Sequence, residues 1–221
     1  MADLRRNGAG ALASSSVDAR LRQTQDAYDA NAADYQRRWR QHRPLDAIRK
    51  FASRVGRGGR ILDVACGPAL DVRLLRDGGL TVFAGDLSHE SMRLAKTLFP
   101  KGCVARWDYR NLPFPDRVFD GIWASAALQH VPRSQVRPVL AEWRRVQARG
   151  PVFVSLREGT GDLEAVEEPA VGLVHATTVS AHELKALLVD AGYVDVEVEP
   201  RPDLLGRTDV TWLYGFGRLP G

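Results

Sequence analysis

Cysteine, methionine and lysine are scarce in this 221-residue chain, and long apolar runs are missing altogether. Cys66 and Cys103 form no CxxC pair and stand in no Cys/His cluster, which argues against a disulfide framework and against a zinc site. No apolar stretch approaches the roughly 20 residues that a membrane-spanning helix needs. The opening "MADLRRNGAGALASSS" carries two arginines, but its apolar core is too short and weak for a secretory signal. Residues 1–17 are therefore expected to be a disordered tail, and the protein is expected in the cytoplasm. The net charge of +4 and pI near 9.3 are basic, yet well short of a protein that coats nucleic acid. Nowhere does a GxGxxG loop occur, so the usual dinucleotide cradle is absent.

The remaining residues read as one α/β domain, 18–221. Residues 18–55 are polar and helix-prone, with "AYDANAADYQRRW" at their centre. Strand-like and helix-like patterns then alternate. "GRILDVA" is a continuous apolar run of strand length, as expected for a strand buried on both faces. "LTVFAG", "CVARW", "FDGIWASAAL" and "PVFVSL" follow as further strands. Between them lie "DVRLLRDGG", "SHESMRLAKTLFP" with Ser88 as N-cap, and the amphipathic "SQVRPVLAEWRRVQARG". "SAHELKALLVDAG" opens with a Ser180/Glu183 capping box. "YVDVEVE" and "VTWLYGFGRL" close the chain with no helix between them, so one of them should run antiparallel. The expected architecture is a Rossmann-like, mostly parallel seven-stranded sheet with helices on both faces and an N-terminal helical lid.

Open parallel sheets bind ligands beyond the carboxyl ends of their strands. The informative residues are thus the strand ends: "DVACGPA", "AGDLS", "WDYRNLPFP" and "WASAALQH". Asp86 follows Gly67 by about the interval that separates a nucleotide loop from the acid gripping the ribose. Asp108, with Tyr109 after it, could receive an adenine amino group. Asp63 sits inside the first strand end, where a carboxylate would repel a pyrophosphate and suits an aminoacyl group better. Three acids at successive strand ends are costly unless each finds donors or water.

At these residues the chain resembles the class I S-adenosylmethionine-dependent methyltransferases, and within them the small-molecule branch similar to the ubiquinone/menaquinone methyltransferases. "LDVACGPALD" looks like the family's first motif and "AGDLSHESMRLAK" like its second. "RNLPFPDRVFDGIWASAALQHVP" looks like its third and fourth. The resemblance covers roughly residues 24–217. It implies methyl transfer from S-adenosyl-L-methionine to an O or N atom of a small-molecule acceptor, with specialised metabolism as one setting. It also implies that the loop of Asp63, Ala65, Gly67 and Pro68 passes beneath the methionine part. Asp86 would hold the ribose, Leu87 and Met92 would pack on adenine, Asp108 and Tyr109 would meet its edge, and Ala124 would lie along the methionine chain. Tyr28 and Tyr35, seven residues apart and so on one helix face, would look onto the cofactor, although core packing fits them equally. The chain departs from the family at Ala65 and Ala69, where glycine is usual. Alanine is unfavourable there if φ must be positive.

His130 follows the fourth strand, where the acceptor should lie. It could act as general base or only orient a neighbour. His42, His89, His175 and His182 read as surface or capping residues. Residues 157–180 should overhang the acceptor. Glu158 in an acidic run suggests a cationic acceptor, whereas Arg157 suggests an acceptor carboxylate. "ASAALQH" offers no carboxylates for a magnesium ion, so no metal is expected. Two other functions compete. A nucleic-acid methyltransferase is suggested by "RRWRQHR" at 37–43, and a non-catalytic S-adenosylmethionine-binding module by the alanines in the loop. No membrane partner is expected, nucleic acid is disfavoured, and the state should be monomer or homodimer.

Overall fold

The computed structural model describes residues 5–220. Of the segment read as a tail, residues 1–4 lie outside the described residues, and Arg5 already begins helix α1 (Arg5–Trp39). After α2 (Leu45–Val55) come β1 (Arg60–Asp63), α3 (Val72–Asp77), β2 (Thr81–Asp86), α4 (His89–Leu98) and β3 (Cys103–Arg106). β4 (Gly121–Ser125) leads through a 3-10 turn at Leu128–His130 into α5 (Arg133–Val146) and β5 (Pro151–Arg157). A hairpin of β6 (Glu164–Glu168) and β7 (Gly172–Ala176) precedes α6 (Ala181–Asp190), β8 (Val194–Pro202) and β9 (Thr211–Arg218).

Seven strands form one sheet in the order β3-β2-β1-β4-β5-β9-β8. β1 to β5 pair in parallel, and β9 runs antiparallel between β5 and β8. The order reverses beside β1, so the crevice for a ligand opens above β1, β2 and β4. Side chains alternate between two apolar layers, as the period of a strand requires. Leu62, Ile122, Val152, Val154 and Leu213 meet α5 and α6 on one face. Ile61, Trp123, Phe153, Tyr214 and Phe216 meet α2, α3 and α4 on the other. On that second face Trp123 stacks on Phe153 with ring centroids 4.1 Å apart, and Phe51 of α2 stands edge-on to Trp123 at 5.2 Å.

The segment expected to overhang the acceptor contains the β6–β7 hairpin, paired from Glu164↔Ala176 to Glu168↔Gly172. α1 lies across it and across α4. Asp29 of α1 accepts from the Ser88 hydroxyl (2.5 Å) and the Glu90 amide (3.2 Å), occupying donors at the N-terminus of α4. Thr24 Oγ1 accepts from the His175 amide at 2.9 Å. The helix bends at Asn31 (φ −120°, ψ 16°), whose amide donates to Ala27 O and to Val171 O in the hairpin turn. His175, expected at the surface, is buried, because β7 is sandwiched between α1 and the turn after β4.

Gly85 in β2 shows how tightly the strand ends are packed. A Cβ there would lie 2.3 Å from the Trp107 indole and 2.4 Å from Ala105 O. Trp107 cannot retreat easily, since its indole N–H donates to Val64 O at 3.0 Å. Gly85→Ala should therefore destabilise the protein by about 3 kcal/mol, which thermal unfolding would read as a fall of roughly 6–12 °C.

Candidate active site

Beyond the carboxyl ends of β1, β2 and β4, and under α1, lies a cavity of about 330 Å³. Most residues picked out by the sequence line it: Tyr28, Tyr35, Asp63, Ala65, Gly67, Asp86, Leu87, Asp108, Tyr109 and His130. Five do not. Pro68 is buried beneath its loop, and Met92 lies in the apolar layer with Ala84 and Ala95. Ala124 points into the opposite layer, and the next two residues, Ser125 and Ala126, face the cavity instead. Arg157 and Glu158 line a separate opening beside the hairpin. The Arg157 guanidinium is buried and paired with Glu168 at 2.5 Å, so it is not a free partner for an acceptor carboxylate.

The loop after β1 is fixed by the neighbouring strand end. Asp86 accepts from the Gly67 amide at 2.8 Å and from the Ser88 amide at 2.9 Å, one bond to each oxygen. Burial pushes the Asp86 carboxyl up, and these amides hold it back down. Each oxygen keeps a further lone pair for a ligand. Gly67 (φ 53°) and Ala69 (φ 61°) both adopt the left-handed conformation, so alanine at 69 carries the steric strain that glycine would avoid. Ala65 shows no such conformation.

Asp63 is 1% exposed, and its Oδ2 has no hydrogen-bond partner. Burial, with Asp71 nearby, pushes its carboxyl well above the ordinary range. A second buried group without a partner, the Trp39 indole N–H, also belongs to the cavity wall. Between them stands Arg43, whose Nε donates to Asp71 Oδ1 at 2.7 Å. Asp71 Oδ2 in turn accepts from the Trp123 indole at 3.0 Å. Arg43 belongs to the basic run read as a nucleic-acid signal; it is paired with Asp71 and faces this cavity.

At the outer rim Asp108 is held by Arg110, with Nη2 at 2.7 Å from Oδ2. Partial burial acts to raise the Asp108 pKa, but the Arg110 hydrogen bonds outweigh it and leave the carboxyl lower than usual. The Tyr109 hydroxyl donates to Ala127 O at 3.1 Å. Deeper in the cavity, the Tyr28 hydroxyl lies 3.2 Å from His130 Nε2, and His130 Nδ1 lies 3.3 Å from His175 O. A carbonyl can only accept, so Nδ1 carries the proton and Nε2 presents its lone pair. Burial pushes the imidazole down to about 4, and it is neutral at pH 7. Burial also lifts the Tyr28 hydroxyl well above 10, with Glu168 the foremost charge acting on it. Glu168 is itself raised by burial, against the pull of Arg157.

Sequence reading missed Trp39, Arg43, Gln129, Trp212 and Tyr214, all on the cavity wall, whereas Glu168, also there, belongs to the acidic run expected over the acceptor. Only Arg43, next to Pro44 at the start of a helix, left a local signal. A parallel sheet with Asp63, Asp86 and Asp108 at successive strand ends under a helical lid defines an α/β domain built to hold a nucleoside-like ligand. Residues 62–155 match the family described as methyltransferase domain. Malonyl-[acyl-carrier protein] O-methyltransferase of Erwinia pyrifoliae is 34% identical over 110 residues, covering 49% of this chain and 41% of that protein. 27-O-demethylrifamycin SV methyltransferase of Amycolatopsis mediterranei is 29% identical over 177 residues, or 74% of this chain and 63% of that one. The chain thus spans less than two thirds of either relative. The crystal structure of Burkholderia thailandensis 1,6-didemethyltoxoflavin-N1-methyltransferase, with its substrate and S-adenosylhomocysteine bound, superposes with a TM-score of 0.68 at 20% identity over 89% of this chain and 87% of that one. Residues 62–155 thus resemble a methyltransferase domain, and the chain shares the Rossmann-like fold of that solved methyltransferase. No helix among the described residues is long and apolar enough to cross a membrane.

A buried carboxylate without a partner costs stability at neutral pH. The folded Asp63 has the higher pKa, so its penalty is absent below the unfolded value near 3.9 and grows as pH rises through the folded one. Asp63→Asn should accordingly raise the melting temperature of the ligand-free protein at pH 7, and the gain should shrink toward pH 4.

Proposed function

We propose that the protein transfers the methyl group of S-adenosyl-L-methionine to a nitrogen or oxygen atom of a small-molecule acceptor. The observation that carries this reading is the pair of unsatisfied groups in the cavity wall. Asp63 Oδ2 lacks a donor and Trp39 Nε1 lacks an acceptor, with Arg43 lining the same cavity. An α-amino-acid end answers both, its ammonium to Asp63 and its carboxylate to Trp39 and Arg43. Charge supports the same ligand. Asp18, Asp63, Asp71, Asp86, Asp108 and Glu168 line the cavity against Arg22, Arg43 and Arg110, and Arg157 offsets only Glu168 from behind. That excess suits a sulfonium cation and opposes a pyrophosphate.

The remaining roles follow from position. Asp86, anchored by two amides, offers its spare lone pairs to the vicinal hydroxyls of a ribose. Leu87 lies against the base, and Asp108 with the backbone of Tyr109 meets its edge. Tyr35 covers the Gly67 turn, its ring 3.7 Å from where a Cβ would stand. When bound, S-adenosyl-L-methionine supplies an electrophilic methyl carbon. The protein's own work is to align the acceptor, exclude water beneath α1 and, through His130 Nε2, take up a proton. A small-molecule acceptor fits a setting in the cytoplasm.

S-adenosylhomocysteine at about 100 times its Kd should stabilise the protein by about 2.7 kcal/mol, while NAD and NADP leave the melting temperature unchanged. Asp86→Ala should abolish the shift; no shift with the wild type at millimolar ligand would sink the assignment. His130→Gln should lower kcat by roughly 100-fold or more with the affinity for S-adenosylhomocysteine retained. Equal loss of both would make His130 structural.

A further inference from the structure

We propose that the acceptor atom is a nitrogen bearing N–H bonds, in an aromatic or heterocyclic amine that enters uncharged, and this rests on the methyl-transfer reading above. Where the acceptor should lie, the wall offers hydrogen-bond acceptors that have no partner. Gln129 is 2% exposed and its Oε1 has no partner. Its Nε2 faces His130 Nε2 at 3.4 Å, and since that nitrogen can only accept, the amide is oriented with Oε1 as the free atom. The one lone pair of His130 Nε2 is already met by the Tyr28 hydroxyl at 3.2 Å and by this amide. The second free acceptor is Glu168, whose Oε2 takes Arg157 while Oε1 has no hydrogen bond among the described residues.

Two lone-pair atoms call for more than one donor on the incoming group. A carboxylate or phosphate would set its own oxygens against them. A hydroxyl brings one proton and leaves one acceptor unanswered. A neutral amine nitrogen brings two N–H bonds and keeps its lone pair for the methyl carbon. The walls suit a flat ring, with Tyr28 and Tyr35 edge-to-face at 5.5 Å and Trp212 and Tyr214 lining the same cavity. The C–N bond forms as the C–S bond breaks, and the electron pair of the latter stays on sulfur. The cationic nitrogen then passes one proton to the Tyr28 oxygen as Tyr28 gives its own to His130 Nε2, and on to water. An imidazole held near 4 accepts a proton from an aryl ammonium far more readily than from an alkyl one.

The test uses matched aryl acceptors that differ in one group: amine, hydroxyl or carboxylate on the same ring. Binding of each is measured calorimetrically with the protein saturated in S-adenosylhomocysteine, and transfer of labelled methyl is followed in parallel. Across the panel, amines should bind at least tenfold tighter than their hydroxyl and carboxylate partners. Gln129→Leu should erase about tenfold of that preference, and Gln129→Glu, which keeps an acceptor oxygen in place, should retain most of it. Equal binding across the triples, tighter hydroxyl or carboxylate binding, or no amine bound at all would each overturn the proposal. Those results, obtained while S-adenosylhomocysteine still stabilises the protein, would leave the methyl-transfer reading standing; loss of that stabilisation would remove both.

Discussion

The carboxylate of Asp71 joins the cover of the cavity to its floor. One oxygen takes the Trp123 indole in β4 and the other the Nε of Arg43, which lies just beyond α1. Side chains of this ion pair are almost wholly withdrawn from water, at 12% and 4% exposure, so neither charge can lose its partner cheaply. Trp123 is in turn stacked on Phe153 and braced by Phe51 of α2. The point at which α1 leaves the sheet is therefore set by the same aromatic row that fills one face of the domain.

Around that knot the cavity holds groups that folding alone does not satisfy. Asp63 Oδ2, Trp39 Nε1 and Gln129 Oε1 are withdrawn from water without partners. Proteins tolerate a few such groups, and these three border a single space. The loop between them keeps Ala69 in a left-handed conformation that costs energy in the absence of any ligand. Stability is thus given up locally in favour of a surface that is complementary to something else.

Much of this was legible in the chain itself. Buried parallel strands are continuous apolar runs, so β1, β2, β4 and β5 announced themselves, and the acids at their ends came with them. Met92 and Ala124 were misplaced because both depend on which way a side chain points at the end of an element. A shift of one residue at the end of β4 exchanges Ala124 for Ser125. The acidic run after β5 gave no sign of a hairpin because its alternation is weak and each strand is only five residues long. Arg43 was invisible as a site residue for another reason. Its meaning lies in a partner, Asp71, that only the fold brings near.

The bend at Asn31 carries a consequence for kinetics. Its amide donates to Val171 in the hairpin turn, while Thr24 accepts from His175 in β7. The helix over one end of the cavity and the hairpin beside the other are thereby tied together as one door on a single frame. If the proposed reaction holds, opening that door would expose both ends together, so neither ligand would have to wait behind the other. Binding order would then follow relative affinity and concentration rather than a forced sequence.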